Sequence, residues 1–222
     1  MVQRLPSPPE AIVLLTGFDP FDGADLNPSW QAVQALQDLS IAGHRVVAAQ
    51  LPTDFARSLP AREALLQVHQ PRLTVCCGQA GGRAALSLER VAINVQDARI
   101  PDNAGARPID EPVVRGHDAP AAYFTSLPIK AMRLALREAG IPAEVSQTAG
   151  TFVCNHVFYG LMHHLAHHGP AGARGGFIHV PWQTGQGLPS MPLAQMVAGL
   201  RLAIACALAT PVDIRVEAGA LD

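Results

Sequence analysis

The chain alternates short, unbroken apolar runs with longer stretches in which apolar side chains recur every three or four residues. Ala11 to Leu15 is the first run. It stops at Thr16-Gly17 and fits a strand covered on both faces, as in a largely parallel sheet. Asn27-Pro28 then opens a helix, because proline is tolerated in the first turn and Ala32, Val33, Leu36 and Leu39 follow as an apolar stripe. Arg45 to Leu51 predicts the next strand, and Leu59 to His69 a second helix. Leu73 to Cys77 predicts a third strand, running into Gly78-Gln79-Ala80-Gly81-Gly82. Arg90 to Val95 predicts another strand. Asp97 to Val114 is polar, proline-bearing and without either period, which predicts a long loop or flap of the kind that often serves as a lid. Ile129 to Ala139 has helical periodicity and ends at Gly140, a suitable C-terminal cap. Ala143 to Ser146 predicts a strand, Gly150 to His156 leads into a helix, Gly176 to Val180 is a further apolar strand, and Pro192 to Ala209 is a closing helix.

Strands alternating with helices predict an α/β fold, a three-layer α/β/α sandwich around a twisted, mostly parallel (mixed) sheet. At 222 residues the chain suits one domain, with residues 1–10 expected to be a flexible N-terminal extension. Hydrophobic residues make up 49% and charged residues 15%, which argues for an extensive core. A net charge of −2 and a single lysine, Lys130, leave no basic track, so nucleic acid is not an expected partner. Met1 to Glu10 contains three prolines and no apolar segment of the signal-peptide kind, and no run approaches a membrane span. A cytoplasmic protein with no membrane partner is expected. Cys76, Cys77, Cys154 and Cys206 lack the density and spacing of a disulfide scaffold, so reduced thiols are expected.

The candidate chemistry starts at Gly150-Thr151-Phe152-Val153-Cys154-Asn155-His156, which places Cys154 in the first turn of a helix. Unpaired backbone N–H groups and the positive end of the helix dipole favour thiolate there and can lower a cysteine pKa. Such a nucleophile needs a base and a group that orients the base. His179, in Phe177-Ile178-His179-Val180-Pro181, stands at the carboxyl end of a buried strand, where ligand crevices of α/β sheets lie, although a plain buried histidine is an equal reading of its position. His156 follows Cys154 by two residues, so the helix turns it away from the thiol.

His163, His164, His167 and His168 include i, i+4 pairs of the kind that bind zinc, but no carboxylate or cysteine flanks them at ligand spacing. A solvated helix face is the stronger reading, and no metal or other cofactor is expected. Glu89, at the mouth of a strand, could orient an imidazole or simply pair with Arg90 in water; taken alone, the surface pairing is the stronger reading. Cys76-Cys77 reads as a pair of small core residues, and the glycines at 78–82 as places where backbone approaches a ligand. Phe18-Asp19-Pro20-Phe21 puts two rings at a strand end, which could form an apolar wall for a small flat ligand.

Several ordered segments together resemble the pyroglutamyl peptidase I (pyrrolidone-carboxylate peptidase) family. They are Leu15 to Phe21 with Asn27 to Trp30, Gly78 to Arg83 with Glu89 to Asn94, Asp97 to Asn103, Gly150 to Tyr159, and Gly176 to Pro181. The resemblance implies a cysteine peptidase that releases free pyroglutamate from the N-terminus of peptides. It implies Cys154 as nucleophile, His179 as base and then acid, Glu89 as the group orienting the imidazole, and a thioacyl-enzyme between the two half-reactions.

By the same likeness Phe18 and Phe21 hold the pyroglutamyl ring, the loops with Asn27 and Gln79 hold the lactam, and Arg99 supports the oxyanion beside the Cys154 N–H. It also implies a homotetramer. Two positions depart from the family pattern: Asp22-Gly23 stands where the family commonly has Gly-Gly, and Gln96 where an acid is common. The alternatives are a thiol-dependent amidase or acyltransferase acting on another small acyl group, and a non-catalytic α/β binding protein with a histidine-rich surface.

Overall fold

The computed structural model describes residues 11–219, so the extension expected over residues 1–10 lies outside the described residues. In chain order the elements are β1 (Ile12–Phe18), α1 (Pro28–Gln34), β2 (Ser40–Ile41), β3 (His44–Leu51), α2 (Phe55–His69), β4 (Leu73–Gln79), β5 (Leu86–Glu89) and β6 (Val91–Ile93). There follow β7 (Ala122–Phe124), α3 (Ile129–Glu138), β8 (Ala143–Ser146), α4 (Val153–His167), β9 (Arg174–Val180), β10 (Trp182–Gln183), β11 (Ser190–Met191) and α5 (Leu193–Ala209).

The central sheet has seven strands in the order β2-β3-β1-β4-β9-β5-β8. β3, β1, β4 and β9 are mutually parallel. β5 pairs antiparallel with β9 and parallel with β8, so one edge of the sheet runs the other way, and the sheet is mixed as expected.

Strand side chains alternate between faces with a period of two, and both faces are covered, which is why these strands read as unbroken apolar runs. On one face Val13, Leu15, Val75, Ile178, Leu86 and Leu88 meet α1, α3 and α5 through Val33, Leu36, Met132, Leu136, Leu200 and Ile204. On the other face Leu14, Val47, Cys76 and Phe177 meet α2 and α4 through Phe55, Leu66, Val157, Phe158 and Leu161. The two clusters are the interiors of a three-layer sandwich.

The alternation has a direct consequence for the polar residues. Because Ile178 and Val180, Leu86 and Leu88, and Val75 and Cys77 all face the α1/α3/α5 layer, Gly78, His179 and Glu89 are left facing α4.

Two expectations are corrected. The strand expected over Arg90 to Val95 is only β6, which leaves the main sheet and forms a small antiparallel hairpin with β7. The sheet strand in this region is β5, which lies before it. The second helix starts at Phe55 rather than Leu59, because Asp54 caps it by accepting from the N–H groups of Ala56 and Arg57, and Pro60 is held within its first turns.

The flap at 97–114 carries no regular element beyond an isolated bridge between Gln96 and Glu111, in keeping with its sequence. Asp102 fastens it: its buried carboxylate accepts from Phe55 N–H at the start of α2 and from the N–H groups of Ala104 and Ala106. Asn155, fully buried in α4, exchanges three hydrogen bonds with Ile93 and Val95 and pins β6 beside the start of that helix.

Candidate active site

Cys154 is the second residue of α4, as its sequence context predicts. No side chain caps this helix, so the N–H groups of its first turn are open at the carboxyl ends of β4 and β9. The thiol lies over β4. A methyl group at Gly78 would stand 2.6 Å from Cys154 Sγ and 2.9 Å from the Phe177 ring, so only glycine leaves room for the sulfur. Gly78 is in register with His179 on the neighbouring strand, which brings thiol and imidazole to adjacent strands on one face.

Glu89 is fully buried at the end of β5, and its Oε1 accepts from His179 Nδ1 at 2.7 Å. The same oxygen accepts from Arg83 Nη1 at 2.7 Å, so the carboxylate pairs with Arg83 and His179 and not with Arg90. With Nδ1 donating to a carboxylate, the lone pair of the neutral ring is on Nε2, the atom a general base needs. In the resting structure the thiol makes no hydrogen bond to the imidazole among the described residues.

The helix N-terminus favours thiolate, but the surroundings of Cys154 oppose it. Burial, reinforced by the charge of Glu89, pushes the Cys154 thiol up to about 12, and Arg83 only partly opposes this. These surroundings favour the neutral thiol over the thiolate at rest, and the open amides of α4 serve chemistry that comes later. His156 is buried edge-on to Phe55 and pushed down to about 4 by burial and by Arg62, so it is a neutral core group that the helix turns away from the thiol.

Beside the thiol a small pocket is lined by Phe18, Phe21, Asn27, Thr53, Gln79, Phe152, Val153 and Cys154. All four residues expected to bind ligand are there. Sequence reasoning missed Thr53, Phe152 and Val153, as well as the buried-side partner Arg83. Phe152 immediately precedes α4 and touches both Phe21 and Phe55, a signal that the aromatic count alone does not show.

Asn27 is more committed than expected. Its Oδ1 caps α1 by accepting from the Ser29 N–H and hydroxyl, and its Nδ2 donates to the Asp19 carbonyl. Asp19 in turn accepts from Thr53 and Asn103, so the flap, the loop after β3 and the aromatic loop are joined around the pocket. Arg99 is exposed and lines an open groove next to the pocket, together with Phe21, Gln79, Trp182 and Gln186. The glycines at 78–82 admit the chain's own groups, Gly78 the thiol and Gly81 the Trp182 ring.

A family model for pyroglutamyl peptidase matches residues 11–210. The chain belongs to the pyroglutamyl peptidase family. A pyrrolidone-carboxylate peptidase of Cupriavidus taiwanensis is 56% identical over 214 residues, 94% of this chain and 98% of that one. Among solved structures, pyroglutamyl peptidase I of Bacillus amyloliquefaciens is 47% identical with a TM-score of 0.87, covering 92% of this chain and all of its own. A pyrrolidone carboxyl peptidase of Thermococcus litoralis, 34% identical, has a TM-score of 0.88 over 93% of this chain and 99% of its own.

The other histidines of α4 are not the bare solvated face that their spacing suggests. His164 meets Glu63 at 2.9 Å, and His163 bonds the Tyr123 hydroxyl at 2.9 Å.

Two outcomes follow from the position of the thiol. Gly78→Ala should displace Sγ and lower kcat/KM by about 10²-fold or more while far-ultraviolet circular dichroism is unchanged; activity within about twofold of wild type would contradict this steric account. Because burial favours the protonated form, alkylation of Cys154 by iodoacetamide should climb steadily from about pH 6 to about pH 9, and a plateau reached below about pH 7 would show a thiolate at rest.

Proposed function

We propose that the chain hydrolyses the amide bond after an N-terminal pyroglutamyl residue, with Cys154 as nucleophile, His179 as proton carrier and Glu89 as the group that orients the imidazole. The observation that carries this is the coincidence of the Glu89–His179 pair with a small pocket that has no ionised lining. A peptidase that selects an ordinary N-terminus needs a carboxylate for the α-ammonium, and the residues lining this pocket include none. A lactam ring is flat and neutral, with one N–H and one C=O. The rings of Phe18 and Phe21 suit its faces, while the Gln79 amide and the remaining N–H of Asn27 Nδ2 suit its polar edge.

In the first half-reaction His179 Nε2 takes the thiol proton as Sγ bonds to the scissile carbonyl carbon. The Glu89 carboxylate stabilises the imidazolium that forms. The oxygen of the tetrahedral adduct gains negative charge beside the open N–H groups of α4, with Arg99 at the groove edge as further support. His179 then gives the proton to the leaving amine, and the C–N bond breaks to leave a thioester. In the second half-reaction water loses a proton to His179 and attacks the thioester, and Cys154 leaves reprotonated with release of pyroglutamate. The remainder of the peptide would lie along the groove by Trp182 and Gln186.

The free state of all four cysteines supports a reducing, cytoplasmic setting, and no described helix is long and apolar enough to cross a membrane. Homotetramer formation belongs to the same proposal. An exposed apolar groove between α1, β2 and α5, lined by Leu39, Ile41, Leu193, Val197 and Leu202, is surface of the kind that self-association buries.

Wild-type protein should release a fluorescent amine from its pyroglutamyl amide and leave the prolyl and glutamyl analogues essentially intact. Cys154→Ala should abolish turnover, and Glu89→Gln should lower kcat by about 10²–10⁴-fold with little change in KM. Equal cleavage of the prolyl analogue would favour a broader amidase, and unchanged turnover by Cys154→Ala would sink the assignment. Light scattering at micromolar concentration should report a homo-oligomer four chains in size; a monomer would refute that part.

A further inference from the structure

The far half of α4 takes no part in this chemistry, yet it carries an assembled donor set. His163 and His167 are one turn apart on the same side of the helix, with ring centroids 4.4 Å from each other. The segment leading into β7 brings Asp118 against them. One nitrogen of each ring and one carboxylate oxygen all lie within 4.8 Å of one another. Asp118 is 45 residues before His163, so the missing carboxylate of the sequence pattern comes from tertiary structure.

The surroundings favour ligation. The Tyr123 hydroxyl lies between the rings, 2.9 Å from His163 Nδ1 and 3.4 Å from His167 Nε2. Donors around a tetrahedral ion with bonds of about 2.1 Å stand about 3.4 Å apart. The closure required is within reach of rotamer changes at Asp118 and His167, which are exposed. Two imidazoles and one carboxylate suit zinc and its neighbours in the transition series; calcium and magnesium prefer oxygen.

We propose that Asp118, His163 and His167 form a binding site for a divalent transition-metal ion of the zinc class, which ties the segment before β7 to the helix that carries Cys154. His163 is nine residues beyond Cys154, about 13 Å along the helix axis, so the ion braces the helix and does not touch the thiol.

The test uses the full chain as Cys154→Ser, which removes a competing thiol ligand, after treatment with chelator. Calorimetric titration with zinc ion should show one ion bound per chain and a rise in the thermal midpoint. His167→Ala and Asp118→Asn should each weaken binding by at least about tenfold, or ~1.4 kcal/mol, and remove the thermal shift. His168→Ala, outside the donor set, should bind zinc like its parent. Circular dichroism at matched temperature checks that each exposed variant is folded. No zinc binding by the parent, undiminished binding by His167→Ala and Asp118→Asn, or an equal loss in His168→Ala would overturn the proposal.

Discussion

A carboxylate sealed inside a protein must find partners for its charge, and Glu89 is where this chain meets that demand. An unpaired buried carboxylate would cost several kcal/mol. Here one oxygen takes both His179 Nδ1 and Arg83 Nη1, the first from the neighbouring strand and the second from the loop that leads into β5. The pairing requires β5 to lie beside β9 in the antiparallel sense, with Ser87 opposite His179, so that Glu89 shares the α4 face with the imidazole. Reversing that edge against the four parallel strands at the centre of the sheet is thus tied to the chemistry.

The thiol is governed by a different balance. A helix N-terminus favours thiolate by an amount that decays within the first turn, whereas burial opposes the charge over the whole sulfur. At Cys154 burial wins and the charge of Glu89 adds to it. This suits a nucleophile that is activated only when a carbonyl is present. The proton then moves to His179 as carbon–sulfur bonding begins, and the charge passes to an oxygen facing the α4 amides. A permanently ionised thiolate would take up part of that favourable field before substrate arrived, whereas amides held open for the oxyanion contribute mainly to the transition state.

The parallel strands β1, β3, β4 and β9 and the helices α3, α4 and α5 were legible because each is long enough for its period to register. β5 was not. Four residues between a glycine-rich loop and β6 carry too little pattern to separate from the next apolar run, so the sequence pattern places Glu89 at the mouth of β6 although it ends β5. Arg83 and Asp118 share another cause: each acquires its role from a partner in a different strand or helix, and no local periodicity encodes such a contact. Asn27 was found through the ordered motifs, but its job as a helix cap was visible in Asn27-Pro28 itself, since asparagine before a first-turn proline is a standard way to start a helix. Cys154 shows the opposite failure. Its position at the helix start is legible in the sequence, but its ionisation is not, because burial is a tertiary quantity.

The loops around the pocket account for how a small, uncharged site can be selective. Phe18 and Phe21 belong to a segment whose Asp19 is bonded by Thr53 and Asn103, and the adjacent Asp102 is bonded to the start of α2. Each tie spans a large sequence separation, so the rings stand in place before any ligand enters and little conformational entropy remains to be lost on binding. That matters because a lactam offers few handles, and with no charge to neutralise, discrimination against a proline ring rests on whether its edge satisfies the polar groups at the pocket wall. A rigid wall leaves those groups unpaired when the wrong ring enters, whereas a mobile one would relax and forgive it.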